Sequence, residues 1–200
     1  MRAIEIQRNG SVICRAGFPG ASLLGLRLDG DGETPGAGLS VFGMAELEGG
    51  HHLHLEWFNH LRIADGDEVT IALVEAAEVT APSMESATNS PEYIAEQEEF
   101  EKQASLPTPM RALGRPQAAL VFDVRINDAL CKASLDPGRE RLSASLLWSD
   151  YGSERCRFRV GSISIAEAMD RTGGKQWLTE SIEPGDRISI KPYRSVSPAE

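Results

Sequence analysis

All four histidines of this chain fall within one decapeptide, HHLHLEWFNH, from His51 to His60. Imidazole nitrogens are the commonest ligands of first-row transition metals and titrate near neutral pH, so the cluster points to a metal site or a pH sensor. The spacing allows two geometries. As a strand the segment places His52 and His54 on one face; as a helix it groups His52, Glu56 and His60. His52, His54 and His60 are therefore the candidate ligands, with zinc the implied ion. Neither geometry supplies a convincing third ligand, no cysteine is close in sequence and HExxH is absent. The competing expectation is a solvated polar face beside Trp57, with no cofactor.

Two acidic stretches and one basic stripe are the other residues able to do chemistry. Asp29, Asp31 and Glu33 sit in the glycine-rich segment LDGDGETPGAG. They begin like a calcium loop, but the twelfth position is Ser40 rather than a bidentate carboxylate, and no Gly-Lys-Ser/Thr follows to make a phosphate loop. A mobile hairpin loop is expected there. Glu96, Glu98, Glu99 and Glu101 crowd a second stretch, and Arg155, Arg157 and Arg159 alternate along a third in a way that could receive carboxylates bidentately. Nucleophilic catalysis finds no footing. There is no GxSxG elbow, and no histidine outside the decapeptide to serve as a base. Cys14, Cys131 and Cys156, an odd number without CxxC spacing, are expected to be reduced, buried thiols.

These residues must be positioned by sheet-forming segments that occur twice. IEIQRNGSVICRA from Ile4 matches FDVRINDALCKA from Phe122, LSVFG ending at Gly43 matches RFRVG ending at Gly161, and Trp57-Phe58 matches Trp177-Leu178. GDEVTI from Gly66 matches GDRISI from Gly185. Such self-similarity predicts an internal duplication: a mainly β, α+β chain of two tandem copies of a small five-stranded domain with a short helix. Each copy opens with a hairpin at Asn9-Gly10 or Asn127-Asp128, since these residues tolerate the positive φ of a tight turn. Leu142, Ala144, Leu146 and Trp148 share one face of a later strand, and Cys156, Phe158 and Val160 one face of the next. Leu53, Trp57 and Leu61 recur at helical spacing and permit a short helix before the closing strand. Pro192 is expected to make the second closing strand an edge or end it early.

The predicted boundaries are 1–76 for the first repeat, 77–117 for an acidic, proline-punctuated linker and 118–200 for the second repeat. Within the linker, PEYIAEQEEFEKQA has the composition of a helix over 91–104, with Ser90 as N-cap and Pro91 at the first helical position. The opening hairpin and closing GDEVTI strand resemble small ubiquitin-like β-grasp proteins, whose long central helix has no counterpart here. Sandwich, barrel and grasp-like sheet all remain compatible with the strand order.

Charge narrows the partner. The net charge of −10 is unevenly spread: −6 up to Ala76, −4 from Ala77 to Gln117, and zero from Ala118 onward. A nucleic-acid backbone needs a positive footprint, so it is not the expected partner. An acidic first half suits a basic protein, or the second half itself through the Arg155–Arg159 stripe. No apolar run approaches 18 residues and the chain begins on a strand-like segment, so a cytoplasmic protein without a membrane span or export signal is expected. Abundant Ala, Gly and Arg with little Lys suit a GC-rich bacterial genome. The functional expectation is a non-enzymatic protein-binding module, an acidic inhibitor or immunity-type protein. Its rivals are a metal-binding, pH-sensing or metal-dependent function at the histidines, and a structural subunit of an assembly.

Overall fold

Alternation of apolar and polar residues, with turns at left-handed Asn and Gly positions, accounts for most of the architecture. A computed structural model describes residues 1–104, 118–127, 129–151 and 156–196. The first half supplies β1 (Arg2–Arg8), β2 (Ser11–Ala16), β3 (Ala21–Asp31), β4 (Ala37–Glu46), β5 (His52–Ile63) and β6 (Val69–Glu75). β7 (Met84–Ala87) and the helix α1 (Pro91–Ala104) follow. The second half supplies β8 (Ala118–Ile126), β9 (Ala129–Ser134), β10 (Arg141–Ser149), β11 (Cys156–Ile163), the short helix α2 (Ile165–Met169), β12 (Lys175–Ser181) and β13 (Arg187–Val196).

The chain is mainly β, with few helices and two antiparallel sheets. One sheet has the order β2-β1-β6-β13-β8-β9 and the other β12-β11-β10-β3-β4-β5-β7. Read from its two edges, the six-stranded sheet gives the same succession of elements in each half. The seven-stranded sheet does likewise once β7 is set aside. Both sheets run unbroken across the halves, through β6 on β13 over four residue pairs and β3 on β10 over nine. Their inner faces form one core. Ile4, Ile6, Ile71, Phe122 and Ile190 from one sheet meet Leu24, Leu26, Leu28, Leu146 and Phe158 from the other. The arrangement is a sandwich, neither a barrel nor a grasp-like sheet. No described helix is long and apolar enough to cross a membrane.

A repeated polar clasp fixes how each opening hairpin meets each closing strand. Asn9 and Gly10 have φ of +51° and +79°, and Asn127 has φ of +53°; the left-handed region is open to Asn and Gly at small cost. Asn9 N–H donates to Glu68 O and its Oδ1 accepts from Glu68 N–H, both at 2.9 Å. Its Nδ2–H donates to Asp67 at 2.7 Å. In the second half Asn127 N–H donates to Arg187 O at 2.8 Å, its Oδ1 accepts from Arg187 N–H at 3.1 Å, and its Nδ2–H donates to Asp186 at 2.9 Å. Each aspartate also accepts the N–H three residues before it, from Ala64 or Glu183.

Three expectations need correction. Leu53, Trp57 and Leu61 lie on the 12-residue strand β5, not on a helix. The ladder between β4 and β5 slips at Leu39/Val41 and again at Val41/Phe42. A spacing of four is also a multiple of two, so the three residues share a strand face as readily as a helix face, and pairing with β4 selects the strand. Each half therefore has six strands rather than five; the helical element before the aromatic pair is a 3-10 turn at Glu48–Gly50 in the first half and a short α-helix in the second. There α2 is held by a capping box between Ser164 and Glu167. Pro192, finally, is buried within β13, which continues to Val196 beside β8. Pairing with β6 stops at Ile190. The Pro192 carbonyl faces that vacated side and accepts from Gly66 N–H at 2.7 Å, so the missing proline N–H falls where no ladder bond is required.

One core implies one transition. Leu26→Ala and Phe158→Ala, one in each half, should each cost about 3–5 kcal/mol and shift the same cooperative denaturation curve. Two separable transitions, each moved by only one variant, would contradict a shared core. The clasps carry a pH signature. Asn9 and Asn127 are the largest causes holding Asp67 and Asp186 below the ordinary aspartate value of 3.8. Their contribution is therefore full above that pH and lost as pH falls below it. The double variant Asp67→Asn, Asp186→Asn should show a shallower loss of stability between about pH 4 and pH 2 in chemical denaturation series.

Candidate functional site

The outer face of the seven-stranded sheet gathers most of the candidate residues, because a strand that buries every second side chain presents the others outward. Leu24, Leu26 and Leu28 point into the core from β3, leaving Gly25, Arg27, Asp29 and Asp31 outside. Leu39, Val41, Gly43 and Ala45 do the same on β4. On β10, the inward Leu142, Ala144, Leu146 and Trp148 leave Arg141 and Leu147 outside; Cys156, Phe158 and Val160 do so for Arg157 and Arg159 on β11.

At one end of this face stands α1. Ser90 caps it through its Oγ, which accepts from Tyr93 N–H at 3.1 Å. Tyr93 joins the helix to the sandwich, its ring stacked on His54 at 5.3 Å between centroids and 12° between planes. Glu92, Glu96, Glu98 and Glu99 are exposed, as is Ile94; the side chain of Glu101 lies outside the described residues. The segment before the helix is also part of the sheets. Thr80 N–H donates to Arg15 O, and β7 pairs with β5 from Leu53↔Ala87 to Glu56↔Met84.

The histidines divide. His52 and His54 share the outward face of β5, as the strand alternative required, and His52 Nδ1 is buried without a hydrogen-bond partner. His60 lies six residues beyond His54, about 20 Å along the strand. Among the described residues no three His, Cys, Asp or Glu side chains converge as a metal site would need. His60 belongs instead to a cavity of about 280 Å³ at the other end of the face, lined by Asp29, Gly36, Gly38, His60, Arg62 and Arg141 among others.

That cavity is built around backbone. His60 has φ of +59° and follows a bulge, a combination that turns its side chain off the strand's alternation. Its ring lies over Gly38, where a Cβ would come within 2.1 Å of it. Asp29 is ion-paired at 3.4 Å to Arg27 and at 3.7 Å to Arg141, which arrives from the second half on β10. The rim is the loop from Asp31 to Gly36. Asp31 accepts from Glu33 N–H at 2.8 Å, Thr34 N–H at 2.5 Å and Thr34 Oγ1 at 3.2 Å. Burial opposes its ionisation, but the Thr34 and Glu33 N–H groups and the charge of Arg194 outweigh it, and its carboxyl is held below the ordinary value.

Arg194 of β13 grips this loop from beneath, donating to Gly32 O at 2.6 Å, Asp31 O at 3.0 Å and Thr34 O. The loop expected to be mobile is therefore tied by three charge-assisted bonds from 160 residues away. Glu33 is exposed at its tip. Of the arginine stripe, Arg157 is half-buried and Arg159 exposed, both on the outer face, while Arg155 lies outside the described residues. Sequence reasoning missed Arg62 and Arg141. Their only signal was an outward position in register with Asp31 and Gly38, and that depends on the pairing of β3 with β10 and of β4 with β5.

Cys14 and Cys156 are buried as expected, whereas Cys131 is only half-buried. Burial pushes Cys14 and Cys156 up to about 11, so both are protonated and poorly nucleophilic at neutral pH. Trp57 is a buried anchor whose Nε1–H donates to Thr80 O at 2.7 Å, whereas Trp177 is half-buried with Lys175 Nζ 3.6 Å above its ring. Comparison with protein-family models, curated sequences and solved structures returns no match.

Tyr93→Ala should release α1 while sparing the sandwich. Limited proteolysis is expected to cleave within 88–104 at least several-fold faster, with global stability lowered by no more than about 1.5 kcal/mol, the scale of one aromatic pair. Unchanged cleavage would mean that other contacts hold the helix.

Proposed function

We propose that the chain is a non-enzymatic binding module that presents α1 to a basic protein partner, as an acidic inhibitor or immunity-type protein would. One observation carries this reading: the helix displays exposed glutamates, and among its described residues Tyr93 stacks on His54 of the sandwich. A 14-residue helix is marginal in water without tertiary packing, so a second surface that covers it would contribute stability the sandwich does not. Five glutamates against one lysine in that helix set the sign of the partner. Such charge steers association more than it adds affinity.

We further propose that the two halves are diverged copies of one unit. In support stand the matching strand orders, the left-handed Asn9 and Asn127, and the equivalent hydrogen bonds of Asp67 and Asp186.

The binding reading is tested with a triple variant, Glu96→Lys, Glu98→Lys and Glu101→Lys. Wild-type protein used as bait in extract of its own cells should retain one basic protein that elutes as salt rises toward about 0.5 M. Against that purified protein the variant should associate at least about ten-fold more slowly and with a flatter salt dependence. Equal rates for the two baits would remove α1 from the interface.

A further inference from the structure

The cavity beneath the β3–β4 loop has the chemistry of an anion site, and we infer that it binds a small ligand through a carboxylate or phosphate group held by Arg62, Arg141 and His60. The inference goes beyond the helix reading and stands apart from it, since α1 occupies the opposite end of the sheet face.

Formal charge in the cavity lining balances, Arg62 and Arg141 against Asp29 and Asp31, with Asp65 accepting from Gly36 N–H at 3.1 Å beside it, so an anion is held by the donors left open once internal partners are assigned. Arg27, Arg62 and Arg141 lie in or beside the cavity against Asp29 and Asp31. Asp29 is sandwiched between two guanidiniums, at 3.4 Å from Arg27 and 3.7 Å from Arg141, with only 14% of its side chain exposed. It orients Arg141 and leaves that residue's remaining N–H donors for a ligand. Asp31 is turned into its own loop, where three donors from Glu33 and Thr34 saturate it. Arg62 is exposed at the wall and makes no ion pair with a described residue. A guanidinium with open donors beside a second, pre-oriented one is the arrangement that recognises planar or tetrahedral oxyanions.

Two features independent of charge point the same way. Gly36 and Gly38 make room for the protein itself, since a Cβ at either would collide with Ile63 O or with the His60 ring, and it is this room that lets the imidazole lie against β4 at the cavity wall. His60 itself, a non-glycine residue at φ of +59°, is held in a sparsely populated conformation that brings its imidazole to the cavity wall. Such outliers, and the bulges that produce them, concentrate at ligand sites. The rim needs no ligand to order it, because Arg194 already fixes Asp31, Gly32 and Thr34. At about 280 Å³ the space sits at the small end of ligand pockets and suits a compact metabolite-sized anion rather than a dinucleotide.

The test is two-dimensional NMR of backbone amides and arginine Nε–H groups in the full chain, titrated at constant ionic strength with inorganic phosphate and, separately, acetate. Saturating shifts centred on Gly38, His60, Arg62 and Arg141 with one of the two anions support the inference, and the anion that saturates names the ligand's charged group. Arg62→Gln and Arg141→Gln should each weaken binding about ten-fold, the equivalent of one charge-assisted hydrogen bond. Gly38→Ala should weaken it too, by displacing the His60 ring without removing charge. Arg159→Gln, on the same face but outside the cavity, should leave it unchanged. The same spectra report whether each variant is folded. No saturating shift with either anion up to about 50 mM, or an equal loss in Arg159→Gln, overturns the site.

Discussion

The two halves of this chain share one core, and the pairing of β3 with β10 and of β6 with β13 is the constraint from which the rest follows. With β7 set aside, each half contributes three strands to each sheet, leaving β3 and β6 as open edges of the first half. Both strands are rich in Leu, Ile and Val, and such edges invite aggregation unless covered. Joining like edge to like edge removes the hazard in both sheets together. It also merges two small apolar layers into one core of a size that supports a stable fold.

The same seam determines where chemistry can occur. Asp29 of β3 meets Arg141 of β10 only because the two strands lie side by side, in a register that sets Arg141 opposite Asp31. Arg194 reaches the β3–β4 loop from the last strand of the other half. The cavity is thus a product of the junction, and neither half contains it. Away from the seam the outer face differs between the halves. β5 carries the histidines and gains β7 and α1 beside it, whereas β12 remains an edge. The exposed glutamates of α1 lie on that added side.

Charge on the sheet face is managed by position rather than by number. Arg27 and Arg141 surround one carboxylate, and Asp31 is absorbed into a turn. Arg62 and Arg159 are exposed on one sheet face, and Arg62 lines the cavity described above with a second guanidinium near it. An exposed arginine beside open solvent contributes little, while one in a concave site with partly buried neighbours acts through a lower effective dielectric.

Local chemistry settled a good deal from the sequence alone. Strand polarity was legible in the alternation of Leu142 to Trp148 and of Cys156 to Val160, the hairpins in Asn9-Gly10 and Asn127, and α1 in Ser90-Pro91, because each depends on neighbours a few residues away. The mainly β class followed from these. What the sequence left open depended on distant partners. The pairing that makes Leu53–Leu61 a strand exists only against β4, and Pro192 is tolerated only because β6 has ended beside it. Likewise the acidic loop is held by a guanidinium from the far end of the chain, and His60 parts from His54 to face Arg62 and Arg141. Those outcomes are decided by register between strands, and register is set by packing of the whole sandwich rather than by any one segment.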